Sequence, residues 1–402
     1  MAKSQKAKWI YVATGMLISL VCICLARLSY GVILPFMKEG LSLSYQLAGL
    51  LGTITSFGYL LFVMSAGILA NKWGEKKTIL FGLSLITIGF FNLSIASSFW
   101  YSSIFMFLLG AGTAFTFTPI VTLLIKWFPE KKGTVIGFIN SGAGIGMVFT
   151  GSLVPLLNQL YPDTAWQLTW KIFFIISLLV VLNTFLFIKN PPAEPVTEAK
   201  NYLPARMIYR NWNVIKVGLI YGITGMTFII QSMFIMSFML ESGINQQLAG
   251  QLVALNGILS IFSSLIWGGL SDRLGRKNAL IAAMGFNLLS TVIPVIFLNS
   301  IGFTINLVLQ GLVATGVFTL VQTLSTEQVP AQATSVAYSY VTFIFAIGQF
   351  IGPTIAGWLI DFGNFKSVFL FSSIFIAAAL YLAKKVPSDK PAEPALSPDL
   401  NH

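Results

Sequence analysis

Along the chain, long apolar runs alternate with short polar breaks at nearly even spacing. A hydrocarbon core of about 30 Å needs about 20 predominantly apolar residues per helical crossing, and twelve such windows occur. They run Trp9–Phe36, Gln46–Ala70, Thr78–Ser98, Trp100–Ile125, Val135–Leu157 and Ile172–Ile188, then Val217–Leu240, Gln247–Ser271, Asn278–Leu298, Gly302–Ser325, Thr334–Ile360 and Val368–Ala383. The first run is too long for a signal-peptide core and has no clear small-residue cleavage site, so it is expected to stay as helix 1. An even number of crossings puts both termini on one side. The expectation is an all-α membrane protein with twelve transmembrane helices in two pseudo-symmetric six-helix bundles, residues 1–188 and 217–385. A proline-containing cytoplasmic linker, 189–216, joins them, and a tail, 386–402, follows.

Composition agrees with lipid as the solvent: 56% of residues are apolar, 9% are charged and mean hydropathy is +0.82. The formal charge of +11 is distributed by side. Twenty of the Lys and Arg residues fall in the terminal-side segments and only Lys38, Lys171 and Lys366 on the other. That is the pattern of the positive-inside rule, so the charge reports a topology with cytoplasmic termini and no nucleic-acid partner. Cys22 and Cys24, two apart on one helix, point to different faces and are read as packing residues. There is no embedded carboxylate pair, His/Cys cluster or nucleophile with a base, so neither an enzyme nor a metal or cofactor is expected.

An internal repeat organises the chain. Gly67-Ile-Leu-Ala-Asn-Lys-Trp-Gly-Glu-Lys returns as Gly268-Gly-Leu-Ser-Asp-Arg-Leu-Gly-Arg-Lys, displaced by 201 residues, and the same displacement maps Gln46–Gly49 onto Gln247–Gly250, Gly110 onto Gly311 and Gly151 onto Gly352. With these residues the chain resembles the major facilitator superfamily, whose signature between helices 2 and 3 is Gly-x-x-x-Asp-Arg-x-Gly-Arg-Lys. The resemblance implies alternating access around a site near the midplane between two parallel repeats. It also implies cytoplasmic gating elements: Gly67, Asn71, Lys72 and Gly74 in the first copy, and Gly268, Asp272, Arg273, Gly275 and Arg276 in the second. The first copy departs from the signature at Asn71 and Glu75, which weakens its charge-based latch. Trp127-Phe-Pro-Glu-Lys-Lys-Gly followed by Gly142, Gly144 and Gly146 resembles anion-handling branches. No Gly-Pro pair follows in helix 5, unlike drug and proton antiporters, and Met106 stands where many proton-coupled relatives carry an arginine.

One charge is out of place. Arg27 is the only basic residue deep in a span, where a cation costs at least about 2.5 kcal/mol, and no acidic residue lies in the hydrocarbon region to pair with it. Relatives that carry organophosphates and other anions place an arginine a similar distance before a helix 1 proline, as Arg27 precedes Pro35, and the resemblance implies that it grips an anionic substrate. Unlike monocarboxylate carriers, the chain has no arginine in helix 8. The neutral candidates around the substrate are Tyr30, Asn140, Gln231, Asn256, Tyr338 and Tyr340. The expected protein is a monomeric secondary transporter of a small organic monoanion, such as a monocarboxylate, in the inner membrane. Its alternatives are an exporter of neutral or amphipathic compounds, with Arg27 serving structure, and a non-transporting sensor on the same scaffold.

Overall fold

The computed structural model describes residues 2–190, 208–330 and 333–387. Most of the expected linker and tail lie outside them. Twelve helices among the described residues are long and apolar enough to cross a membrane. The helix α1 has three parts, Ala2–Ser19, a π-helical stretch Leu20–Leu28 and Tyr30–Gly40. The others of the first half are α2 (Tyr45–Trp73), α3 (Glu75–Leu93), α4 (Phe99–Trp127), α5 (Lys132–Leu160) and α6 (Ala165–Phe187). The second half holds α7 (Trp212–Glu241), α8 (Gln246–Leu274), α9 (Arg276–Ile296), α10 (Ser300–Glu327), α11 (Thr334–Phe362) and α12 (Phe365–Lys384).

The repeat is visible in how helices start. Ser44 and Ser98 cap α2 and α4, accepting from Leu47 and Tyr101 N–H, and Asn245 and Asn299 cap α8 and α10 at positions displaced by 201 residues. These side chains satisfy N–H groups that a helix start leaves open. All four caps lie at the end of the bundle opposite the termini, called here the outer end.

Within each half the helices pair equivalently: α2 and α3 on α4, α8 and α9 on α10. Between halves, α2 packs on α11, α5 on α8 and the last part of α1 on α7. These seams are close. Gly151 and Gly250 face each other, and a Cβ on either would strike the other's carbonyl oxygen. A Cβ on Gly31 would strike the Ser232 carbonyl. Small residues let backbones approach in this way, which is how helices associate where lipid supplies no hydrophobic drive.

Polar contacts close the outer end further. The Asp361 carboxylate accepts from Tyr45 N–H at 3.0 Å and Gln46 N–H at 2.8 Å, so α11 of one half caps α2 of the other. The Tyr45 hydroxyl donates to Glu241, and Asn158 donates to Gln246 at 2.8 Å. The terminal-side end is different. Met64 and Leu265 are 73% and 70% exposed, and nothing lies within 4 Å of where a Cβ on Gly67, Gly137 or Gly268 would stand. The molecule is closed at its outer end and open at the end that carries the termini.

Candidate functional site

Arg27 sits in the last turn of the π-helical stretch, where Ser29 N–H bonds to the Cys24 carbonyl five residues back, and Pro35 lies inside the helical part beyond. A π-helical turn displaces side chains from their α-helical directions and is frequent at functional sites. The stretch is supported from outside: the Thr113 hydroxyl of α4 donates to the Cys22 carbonyl at 2.9 Å. Cys22 and Cys24 are buried free thiols, as packing residues.

Among the described residues, the guanidinium meets neutral groups. Nη2 donates to Gln349 Oε1 of α11 at 2.9 Å, and Cζ lies 4.6 Å from the centre of the Tyr59 ring of α2. Nε is buried and finds no acceptor among the described residues. Arg27, Tyr59 and Gln349 stand 13, 14 and 13 residues from the outer ends of their helices. At 1.5 Å per residue that is about 20 Å deep for each, so the three side chains meet near the midplane. Beside them lies a small pocket of about 20 Å³, lined by both halves: Arg27, Tyr30, Thr55 and Ser56 from one, Ile229, Ser232 and Met233 from the other.

The six neutral candidates are not gathered in one place. Tyr30 lines the Arg27 pocket, but its hydroxyl is engaged with the Ala48 carbonyl at 2.9 Å. Asn140 is exposed on α5, one turn toward the terminal side from Gly144, and lines neither pocket described here. Asn256 is committed to structure, donating to the Leu307 carbonyl of α10 at 2.8 Å. Tyr340 packs at a tilt against Tyr209, on a different face of α11 from Tyr338. Tyr338 is 40% exposed and within electrostatic reach of Tyr59 and Tyr221. Gln231 is buried in a second pocket within the second half. The residues that actually touch Arg27, Tyr59 and Gln349, had no distinguishing signal in the sequence.

The signature segments carry a feature that the sequence reading missed. Glu75, which departs from the signature and was expected to weaken the latch, is buried against Lys126 of α4 in an ion pair. In the second half Arg276 pairs with Glu327 of α10 at 3.5 Å and with Asp272 at 2.8 Å, and also reaches the Ser271 hydroxyl. Glu75 and Arg276 are equivalent under the 201-residue displacement, and so are Lys126 and Glu327. Each half therefore ties the start of one helix to the end of the next with the same clamp in opposite polarity. Gly74 and Gly275 adopt φ of +86° and +82°, turning the chain between helices, and the Asn190 side chain lies on Gly74 and accepts from Lys76 N–H at 2.8 Å. Asn71, Lys72, Asp272 and Arg273 are exposed at the open end, and among the described residues nothing lies within 4 Å of where a Cβ on Gly67 or Gly268 would stand.

The fold and sequence have relatives among known carriers. The nucleoside transporter NupG superposes with a TM-score of 0.79 at 14% identity, over 94% of this chain and 99% of that one. The hexuronate transporter of Bacillus subtilis (strain 168) is 27% identical over 178 residues, 44% of this chain and 41% of the relative, so the match spans less than half the length of that protein. Monocarboxylate transporter 12 of Rattus norvegicus is 23% identical over 363 residues, covering 79% of this chain and 73% of the relative. The family model described as uncharacterised MFS-type transporter YbfB matches residues 19–386, and the chain belongs to that family of the major facilitator superfamily.

Proposed function

We propose that this carrier moves a small organic monoanion, such as a monocarboxylate, by alternating access, with Arg27 as the residue that holds the anionic group. The observation that carries the reading is the company Arg27 keeps: a midplane guanidinium bound to one amide oxygen and one ring face, with a buried N–H left over. A cation in a low-dielectric setting costs several kcal/mol unless an opposite charge meets it. A carboxylate arriving from the open end supplies that charge, and the guanidinium fork suits it. The hexuronate and monocarboxylate named for two relatives are both anions, which supports the same class.

In this reading the termini are cytoplasmic, as the charge asymmetry predicts, the protein is a monomer in the inner membrane, and the open end faces the cytoplasm. The signature residues Gly67, Asn71, Lys72, Gly74, Gly268, Asp272, Arg273, Gly275 and Arg276 then act as gating elements when that end closes. The test is a thermal-shift screen of purified protein with monoanions, dianions and neutral analogues, repeated on Arg27→Gln and followed by flux in liposomes. Monoanions are expected to raise Tm in the wild type and not in the variant. Equal responses from both proteins would sink the anion reading and favour a carrier of neutral compounds.

A further inference from the structure

We infer that this carrier is an obligatory exchanger, in which one anion leaves for each that enters, because the empty site does not pass readily through the closed state; this rests on Arg27 holding the anion. The basis is a charge with no partner inside the chain. Arg27 lies about 20 Å from the outer end of its helix, near the midplane. The acidic residues of the described helices, Glu39, Glu75, Glu241, Asp272, Glu327 and Asp361, each lie within two residues of a helix end. Glu75 and Glu327 are also committed to Lys126 and Arg276. The one histidine of the sequence is the terminal His402. No carboxylate or imidazole of these helices therefore stands at the depth of Arg27, either to balance its charge or to carry a proton in the substrate's place.

What the site offers the cation is small and neutral. Nη2 donates to Gln349 Oε1, the Tyr59 ring lies beside Cζ, and Nε is buried without an acceptor among the described residues. The pocket beside the guanidinium, about 20 Å³, has room for about one water, so a hydration shell cannot be enclosed with it. With one end open, Arg27 is half-buried and water from that side screens it. Alternating access passes through an intermediate closed at both ends, and there an empty site withdraws the cation from water without a counter-charge. A membrane interior penalises that arrangement. A bound monoanion makes the pair neutral and lowers the barrier.

The bond to Gln349 raises the same barrier. Its partners sit on α1 and α11, in opposite halves of the molecule. Rocking one half against the other stretches it, so an empty site gives up this acceptor during the turn, whereas a carboxylate in the guanidinium fork keeps Arg27 satisfied. The repeat fixes the stoichiometry. At the position displaced from Arg27 by 201 residues the second half has Phe228, so the pair of equivalent positions carries one fixed positive charge and one monoanion neutralises it. Monoanion for monoanion is an electroneutral exchange, which a membrane potential does not drive.

The test uses purified protein in liposomes with labelled glucuronate and lactate, after calorimetry on the wild type and Arg27→Gln has shown which of the two acids binds through Arg27. Uptake of label is followed into vesicles loaded with the same unlabelled acid and into empty ones, first with the potential clamped and then with an imposed pH or sodium gradient. Loaded vesicles are expected to take up label at least about tenfold faster, the least that a lone charge at this depth implies. Neither gradient is expected to drive uptake into empty vesicles. Gln349→Glu sets a carboxylate at the guanidinium and is expected to abolish the difference between loaded and empty vesicles. If that variant does not fold or does not transport, the wild-type comparison decides alone. Equal wild-type rates, net uptake driven by protons or sodium, binding with no uptake into loaded vesicles, or an active Gln349→Glu that keeps the wild-type ratio would each overturn exchange and leave the anion reading intact. If neither acid binds, or binding survives Arg27→Gln, the anion reading fails and takes exchange with it.

Discussion

The Gln349 side chain is 5% exposed and carries the one side-chain hydrogen bond that the Arg27 guanidinium makes among the described residues, across 322 residues of sequence. Replacing it with leucine removes the side-chain hydrogen-bond acceptor that the cation has among the described residues, so the unliganded protein is expected to lose about 1–3 kcal/mol, the range for unsatisfying a buried polar group. Because the ligand binds only the folded form, an anion then gives Gln349→Leu a larger rise in Tm than it gives the wild type. An equal rise in both would mean that Gln349 does not share the charge of Arg27. Arg27 was legible in the sequence because a charge inside an apolar run is an anomaly that lipid makes costly. Gln349 and Tyr59 were not, because neutral polar side chains are ordinary in membrane helices and only tertiary packing decides which of them meet Arg27.

The elements show a similar division. Their number and extent follow from the thickness of hydrocarbon, and the caps at Ser44, Ser98, Asn245 and Asn299 mark outer-end starts that a reader of the sequence could locate. The π-helical stretch of α1 was hidden, since its support comes from Thr113 on another helix. Thr113→Val, close in shape, is expected to lower stability by about 1 kcal/mol by leaving the Cys22 carbonyl without that donor, as read in thermal unfolding. The clamps were hidden too, because Glu75 looks like a defect until Lys126 is placed beside it. Glu75→Lys is expected to lower Tm by burying like charges, and the double variant Glu75→Lys/Lys126→Glu to recover most of the loss. A double-mutant cycle should show coupling of about 1 kcal/mol or more between the two sites. Additive effects would mean that the pair contributes nothing as a pair.

For the whole molecule, the outer end is held by contacts between halves, and the cap that Asp361 places on α2 is the most directional of them. A carboxylate at a helix start gains from both N–H groups and the helix dipole. Asp361→Ala is expected to shift the equilibrium toward an outer-open state by about tenfold, the equivalent of roughly 1.4 kcal/mol. Spin labels at Ser97 and Leu298, in exposed outer loops of opposite halves, should then report a longer distance population. An unchanged distance distribution would remove Asp361 from the lock. The two-bundle plan was readable from the repeat, but which end is closed was not, because both states share one sequence. The inverted clamps bear on how such a chain assembles. If α3 of the first half docked on α10 of the second while the helices were still finding partners, Glu75 would meet Glu327; α9 on α4 would set Arg276 against Lys126. Like charges at both wrong contacts penalise that exchange, so two halves of the same architecture carry electrostatic addresses that keep each helix with its own bundle.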